Sequence, residues 1–291
     1  MRSVKSLIVA GAASLFCTAA VAADMPISPA PEYTPPPPAD FGGWYLRGDI
    51  GFSNQSVKDV RKSDEAAYSQ ITSLRQTTDF DSAGIFDLGV GYRFNNWLRA
   101  DVTAQYRGKS NFRGSDVFTA TAYGVPYSGA DNYSGSKSES LFLANLYADL
   151  GTWWGVTPFI GAGIGTSRVS ISGFTDTGYV NPLVVDASTV YAGAYPGFAT
   201  AEKGSKWNFA WAAHAGLAYQ VTPNTTVELA YSYVDLGPGT TGAISDFTGF
   251  TAGNVMKFKD ITSHDLKLGV RWNLDALAPA PVYAPPPITK G

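Results

Sequence analysis

Apolar side chains alternate with polar or small ones along most of this chain, and this period of two constrains the fold more than any other feature. In residues 44–52, for example, Trp44, Leu46, Ile50 and Phe52 share one face. The alternation recurs in residues 86–94, 98–107, 142–150, 160–165, 208–220, 226–233 and 266–274. Successive strand residues point to opposite faces, and about ten residues cross a bilayer at a tilt. The pattern therefore predicts an all-β chain of about eight antiparallel strands.

The connections between these segments alternate in length. Three are tight turns, at residues 95–97, 151–155 and 222–224. Four are long and polar, at residues 54–82, 108–138, 170–206 and 237–262. This alternation is typical of an up-and-down transmembrane β-barrel with short periplasmic turns and long extracellular loops. Because residues 170–206 are long enough to contain a further hairpin, the strand number stays open.

The distribution of tryptophan indicates which face of the barrel meets lipid. A membrane barrel turns its apolar face outward, whereas a soluble lipocalin-like barrel turns it inward. Five of the seven tryptophans fall at the short-turn end, namely Trp44, Trp97, Trp153, Trp154 and Trp272. A lipid–water interface explains such a ring, since indole is apolar apart from one N–H group. We therefore expect lipid outside and a polar lumen inside.

Charged residues of both signs lie on the polar faces of the predicted strands, and the apolar faces carry none. An interior enclosed by about eight strands is filled by side chains, and an unpaired buried charge is costly. We therefore expect a structural network in the lumen, with an ion or small-solute path as the alternative. The candidate members are Arg47, Asp49, Asp87, Arg93, Arg99, Asp101, Glu228 and Arg271.

The two ends of the chain differ from the domain between them. Residues 1–23 are typical of a secretory signal peptide, with Arg2 and Lys5 before a short apolar run and small residues for cleavage. The one cysteine, Cys17, lies in this segment, so the mature chain is predicted to have no disulfide. Pro-rich segments at residues 24–43 and 275–291 flank the predicted barrel, residues 44–274. An even strand count places both of them in the periplasm.

The chain resembles the small porin-like outer-membrane β-barrel proteins of alpha-proteobacteria, a group that includes their major outer-membrane immunogenic proteins. The resemblance covers essentially the whole mature chain. It is carried by residues 22–24 before the Pro-rich lead, 43–51, 89–94, 157–165 and 228–233. It implies a fold similar to the transmembrane domain of OmpA and a place in a Gram-negative outer membrane. One departure is that the chain continues beyond Trp272 and Leu274 instead of ending at an aromatic residue.

Sequence motifs that would indicate a catalytic, metal-binding or phosphate-binding site are weak. The three residue types of a catalytic triad are consecutive at Ser263, His264 and Asp265. Adjacent strand residues face opposite sides, so the His264 side chain cannot contact those of its two neighbours. His214 is expected in the lumen network, where buried polar groups find partners. No histidine pair has ligand spacing, and the glycines of residues 161–165 lack the Lys-Ser/Thr step of a phosphate loop. We therefore predict no catalytic, cofactor or metal site and no enzyme activity.

Two functions fit these features: a structural or surface role in the cell envelope, and a small porin that passes ions or small solutes. A lipid-modifying enzyme is a distant third. Expected partners are outer-membrane lipid and lipopolysaccharide, with Arg168 and Lys206 as candidate contacts to lipopolysaccharide phosphates. Barrel-assembly machinery is expected during insertion, and peptidoglycan or another periplasmic partner through the Pro-rich tails. The net charge of −3 predicts no nucleic-acid partner.

Overall fold

The computed structural model describes residues 42–63, 69–251 and 253–274, which form thirteen β-strands. The strands are β1 (Gly43–Lys62), β2 (Ile71–Phe80), β3 (Ala83–Arg93), β4 (Leu98–Ala122), β5 (Val125–Asp149), β6 (Val156–Asn181), β7 (Leu183–Val184), β8 (Val190–Tyr191), β9 (Tyr195–Ala201), β10 (Gly204–Gln220), β11 (Thr225–Thr240), β12 (Ile244–Asp246) and β13 (Met256–Asn273). The predicted signal peptide, most of the Pro-rich lead and the Pro-rich tail lie outside the described residues, so the predictions for them stay predictions.

Eight of these strands close into a ring in which each strand is antiparallel to both neighbours. The order around the ring is β1, β3, β4, β5, β6, β10, β11 and β13. Closure comes from β13 pairing with β1, in a register that runs from Tyr45↔Asn273 to Lys62↔Met256. The predicted class, an antiparallel up-and-down barrel of about eight strands, is confirmed.

Toward the short turns, the barrel wall is apolar outside and polar inside, the inverse of an ordinary soluble core. Leu88 on β3 is 72% exposed, whereas the side chain of Arg99 on β4 is fully buried. A ring of strands without edges satisfies its own backbone hydrogen bonds, which lipid requires. No helix in the described part of the chain is long and apolar enough to cross a membrane.

Four connections are long and lie at one end of the barrel, as predicted, but much of their length continues the strands. β4 and β5 extend to a tight turn at Tyr123 and Gly124, and β6 extends to Asn181. β2 pairs with the outer half of β4, and β9 with the outer half of β6. Residues 170–206 also hold the small β7–β8 hairpin. These parts were missed because polar residues occupy both faces, which leaves no alternation to read.

Strand β13 changes which face it presents to the interior near its outer end. Phe258 and Ile261 are both fully buried although they are three residues apart. Asp260 lies between them with a left-handed φ of 50°, and β11 carries irregularities in its pairing opposite this segment. The local distortion turns both apolar side chains inward.

Glycine on the inner face makes room for large lumen side chains. A Cβ on Gly91 would lie 2.2 Å from the ring of Tyr45, and one on Gly161 would lie 2.4 Å from the ring of Tyr147. Both tyrosines are almost fully buried. Gly161, one of the alternating glycines of residues 161–165, therefore makes room for a bulky neighbour.

Candidate functional site

The lumen at the short-turn end contains a layer of paired charges, and Arg47 of β1 is its most connected member. Its guanidinium lies 2.9 Å from carboxylate oxygens of both Asp49 and Asp101, and Nη1 donates to the Tyr147 hydroxyl at 3.0 Å. These partners come from β1, β4 and β5. Arg47 therefore ties together strands that are not neighbours in the ring.

Glu228 of β11 is the acidic counterpart of Arg47. Its carboxylate lies 2.9 Å from Nη1 of Arg271, 3.4 Å from Nη2 of Arg99 and 3.7 Å from Nη2 of Arg47. Arg99 also pairs with Asp149 at 3.2 Å. One buried carboxylate thus balances arginines from β1, β4 and β13.

Aromatic rings hold the Arg99 guanidinium in place. Its central carbon lies 4.2 Å from the ring centre of Tyr147 and 4.8 Å from that of Phe159. Contact between a cation and aromatic faces is attractive, most of all when water is excluded. Arg99 is therefore held by stacking as well as by its ion pairs.

Seven of the eight predicted network residues lie in this buried layer, and one lies at its edge. Asp87 pairs with Lys267 at 3.3 Å. Arg93 is half-buried, and its contact is a 3.4 Å hydrogen bond to Asn273 Oδ1 at the short-turn rim. We define the charge layer by its paired charged residues: Arg47, Asp49, Asp87, Arg99, Asp101, Asp149, Glu228, Lys267 and Arg271.

The prediction did not name a second layer of ion pairs farther from the short turns. Arg107 pairs with Asp265, and Lys137 with Glu139, and all four side chains are buried. Gln55 donates to Glu139 Oε2 at 3.0 Å. Lys137 and Glu139 fall at the boundary of a predicted loop, where the sequence shows no strand pattern. Only the cross-strand register brings these pairs together.

An apolar plug fills the lumen beyond the second layer, toward the long connections. We call the extended outer parts of β4, β5 and β6, with β2 and β9 and the connections at that end, the long arms. Phe112 of β4 lies at its centre, with its ring 4.9 Å from Phe258 of β13 and 6.4 Å from Phe174 of β6. Because these strands are not neighbours, the contacts cross the lumen. The plug consists of Val60, Phe80, Phe112, Tyr133, Leu141, Leu143, Val169, Ile171, Phe174, Ala210, Ala212, Val234, Leu236, Met256, Phe258 and Ile261.

The structure brings together a Ser–His–Asn arrangement that the sequence analysis did not identify. His214 Nδ1 lies 2.8 Å from Ser232 Oγ, and Nε2 lies 3.2 Å from Asn145 Oδ1. The geometry is that of a nucleophile next to a base. Ser232 is fully buried between the charge layer and the plug. A substrate would have to displace one of those layers to reach it.

Residues 263–265 do not form a catalytic triad, because His264 lies on the opposite face of the strand from its two neighbours, as the strand geometry predicted. Ser263 and Asp265 are buried together in the lumen, where both contact Arg107. His264 is on the outer surface, with Nδ1 2.6 Å from the Tyr231 hydroxyl. Among the described residues, no cluster of three or more histidine, cysteine or acidic side chains is placed to hold a metal ion.

The residues proposed to contact the membrane are all exposed. Trp44, Trp97, Trp153, Trp154 and Trp272 lie at the short-turn end. Arg168 is directly opposite Trp207 in the β6–β10 ladder, and its guanidinium carbon lies 5.9 Å from that ring centre. Lys206 is paired with the buried Val169 in the same ladder. Its side chain is exposed, but it lies on the opposite face of the sheet from the side chain of Arg168.

Comparison with known proteins gives a family match and several relatives. The family described as outer membrane protein beta-barrel domain matches residues 8–273. An uncharacterised protein of Brucella abortus (strain 2308) is 31% identical over 236 residues, which cover 76% of this chain and 78% of that protein. Outer membrane protein PagN of Salmonella typhimurium is 27% identical, with 67% of this chain and 75% of PagN covered.

A putative adhesin of Rickettsia bellii (strain OSU 85-389) is 27% identical over 246 residues, with 81% of this chain and 91% of the adhesin covered. Among solved structures, the outer membrane protein OprG from Pseudomonas aeruginosa aligns with 80% of this chain and 96% of its own. Its sequence identity is 13% and the TM-score is 0.44.

Removing the charge of Glu228 tests whether the charge layer stabilises the barrel. Glu228→Gln should lower the free energy of unfolding by about 3–5 kcal/mol, because it leaves buried arginines without their shared carboxylate. The measurement is the urea midpoint, read from the gel mobility of unheated folded protein. The exposed Glu202 supplies the control, and Glu202→Gln should leave the midpoint unchanged.

Adding Arg271→Met to Glu228→Gln should recover part of the loss, since one unpaired cation is removed with its partner. Equal midpoints for Glu228→Gln and Glu202→Gln would contradict a stabilising role for this layer.

Proposed function

Because this chain belongs to the outer membrane protein β-barrel family, we propose that it is a closed barrel that acts at the cell surface and not as a channel or an enzyme. The chain is an outer-membrane protein, and a surface or envelope role is common to the family and its named relatives. The long arms therefore lie on the extracellular side, and the short turns in the periplasm.

The observation that carries the proposal is the filled lumen. Charged pairs occupy the periplasmic part and a second layer lies above them. Aromatic and aliphatic side chains then fill the outer part, where Phe112, Phe174 and Phe258 are each at most 1% exposed. A solute path would require many paired and packed side chains to separate together. The burial of Ser232 likewise supports a role that involves no catalysis.

The extracellular arms offer the surface with which the barrel would act. β4, β5 and β6 are each at least 25 residues long, more than twice what a tilted strand needs to cross the bilayer. Large apolar side chains are exposed on this side, among them Tyr123, Phe247 and Phe250. Aromatic side chains at a surface are frequent anchors of protein interfaces.

The name of one relative agrees with a contact function, and the name of another agrees with a place in the outer membrane. The Rickettsia bellii relative is described as a putative adhesin, and the Salmonella typhimurium relative as an outer membrane protein. We propose that this chain likewise mediates contact between the cell and an external surface, through its extracellular arms.

Replacing two exposed aromatics tests this contact function. Phe247 and Phe250 lie on one turn, 77% and 68% exposed, next to the Asp246 carboxylate that accepts hydrogen bonds from the turn. Cells that display Phe247→Ser/Phe250→Ser should adhere about tenfold less to an epithelial monolayer than cells that display the unchanged chain. Trp154→Ser is the control, because Trp154 is 98% exposed at the periplasmic end. Equal adhesion by the two variants would oppose the assignment.

Conductance separates the surface role from the small-porin alternative. The purified chain inserted into a planar bilayer should give no reproducible current steps, since the lumen is packed at several levels. A general porin inserted under the same conditions provides the control for the assay. Large, reproducible steps from this chain would overturn the closed-barrel proposal and favour the porin.

We also propose that the outer rim of the barrel binds lipopolysaccharide phosphate through Arg168. Its exposed guanidinium lies near Trp207, whose ring stacks on Phe142 at 6.2 Å, so a cation sits beside exposed aromatics on the outer surface. Arginine suits phosphate because its fork of N–H groups binds two oxygens together. Lys206 is a second candidate, although it leaves the ladder from the other face.

Co-purification measures this contact. Arg168→Ala should reduce the lipopolysaccharide retained per barrel several-fold, because a charge-assisted pair is lost. Lys206→Ala should have a smaller effect. Arg75→Ala, on the exposed strand β2, should have none. Unchanged retention in Arg168→Ala would remove the proposal.

A further inference from the structure

A cavity of about 380 Å³ lies among the extracellular arms, above the plug. Tyr133 and Met256 belong to both the plug and the cavity lining, so they form its floor. Its walls include Ile71 and Leu74 of β2 and Phe118 of β4. The volume suits a small organic molecule, and the apolar walls suit one with a hydrocarbon part.

The cavity also contains an excess of negative charge. Asp116, Asp131 and Asp176 line it together with one cation, Lys62. Asp116 has partners, since it accepts hydrogen bonds from Gln76 Nε2 at 3.2 Å and from the Tyr133 hydroxyl at 3.4 Å. Lys62 Nζ lies 3.1 Å from Asp176 Oδ2. With all four ionised, the site carries two more negative charges than positive ones.

Two carboxylates retain free acceptor capacity. Asp176 is 5% exposed, and its buried Oδ1 accepts no hydrogen bond from the described residues. Asp131 is directly opposite Asp116 in the β4–β5 ladder, and no hydrogen bond to its carboxylate is made within the described part of the chain. Burial, with the nearby Asp176, raises the pKa of Asp131 to about 6. A buried acceptor without a donor is costly, so a ligand that supplies donors is favoured.

The donor set favours an organic cation over a metal ion. The described residues place no three acidic or histidine groups close enough to share a metal. A primary ammonium needs only one or two carboxylates, as the Lys62–Asp176 pair illustrates. The apolar walls then favour a hydrocarbon substituent on the amine.

We propose that this cavity is an extracellular binding site for small amphiphilic cations, with the ammonium at Asp131 and Asp176 and the apolar part on Leu74, Phe118 and Met256. The site goes beyond the contact function, because none of its residues is changed in the adhesion variants. A failure of either proposal can therefore be recognised separately.

Met256 provides a reporter inside the cavity. The chain has three methionines, so ¹³C-methyl labelling of the folded full chain in detergent gives few signals, and Met256→Leu assigns the relevant one. The probe is 2-phenylethylammonium, which combines an ammonium with an aromatic ring. It should shift the Met256 methyl signal in a saturable manner. The neutral analogue 2-phenylethanol should bind about tenfold more weakly or not at all.

Charge variants locate the ammonium. Asp131→Asn and Asp176→Asn should each weaken binding of 2-phenylethylammonium about tenfold while the protein keeps its folded gel mobility. Asp79→Asn, an equal charge change at an exposed position on β2, should leave the dissociation constant unchanged. Equal affinity for the alcohol, or equal affinity in all three variants, would overturn the proposal. So would the same saturable shift produced by CaCl₂ alone, which would indicate a metal site.

Acidification provides an independent check. The charged and titratable groups around Asp131 are Asp116, Asp176, Lys62, Tyr127 and Tyr133. Protonation of Asp131 removes a negative charge, so affinity should fall several-fold between about pH 7.5 and about pH 5. That fall should be smaller in Asp131→Asn. An affinity that does not change with pH in the unchanged chain would oppose a role for Asp131.

Discussion

Lipid offers no hydrogen bonds, so every backbone N–H and C=O group within the membrane must find its partner in the barrel itself. The rest of the structure depends on this requirement. It is met where β13 pairs with β1, because the pairing joins the last strand of the ring to the first and removes both edges. The long register of that seam also explains how a chain without a predicted disulfide holds its ends together.

Closure with eight strands then limits the width of the barrel interior. The enclosed space is about as wide as the side chains that fill it, so charges placed inside must find partners across the lumen. Arg47 and Glu228 do this by contacting groups from several strands, and glycines such as Gly91 make room for the tyrosines between them. A charged lumen is therefore consistent with a closed one. Polar lining by itself does not predict a pore.

The membrane-spanning part of this arrangement could be predicted from the sequence. Where one side of a strand meets lipid and the other meets the lumen, residues must alternate, and Phe86, Leu88 and Val90 against Asp87 and Gly89 show it directly.

Side-chain partners could not be predicted in the same way. Lys137 and Glu139 lie only two residues apart, yet their contact with Gln55 depends on the barrel register. His214 and Ser232 are eighteen residues apart and meet because β10 and β11 pair at that position. The plug was not predicted because much of it, including Phe112, Phe174 and Phe258, lies in segments that the sequence assigned to long loops.

The constraint imposed by lipid ends at the membrane surface, and the fold changes there. Above that level the strands lie in water, so their backbone groups no longer need an unbroken ring. β2 pairs with β4 and, among the described strands, not with β1. The side-chain amide of Gln76 bridges the gap instead, donating to the Val60 carbonyl at 2.7 Å and accepting from the Val60 N–H at 3.3 Å. Lys62 of β1 and Ile71 and Leu74 of β2 line the acidic cavity beside this bridge. Outside the membrane, water can replace a lost backbone hydrogen bond, so the pairing of strands can be interrupted there. Within the membrane only the protein can supply the partner, and there the ring of strands is unbroken.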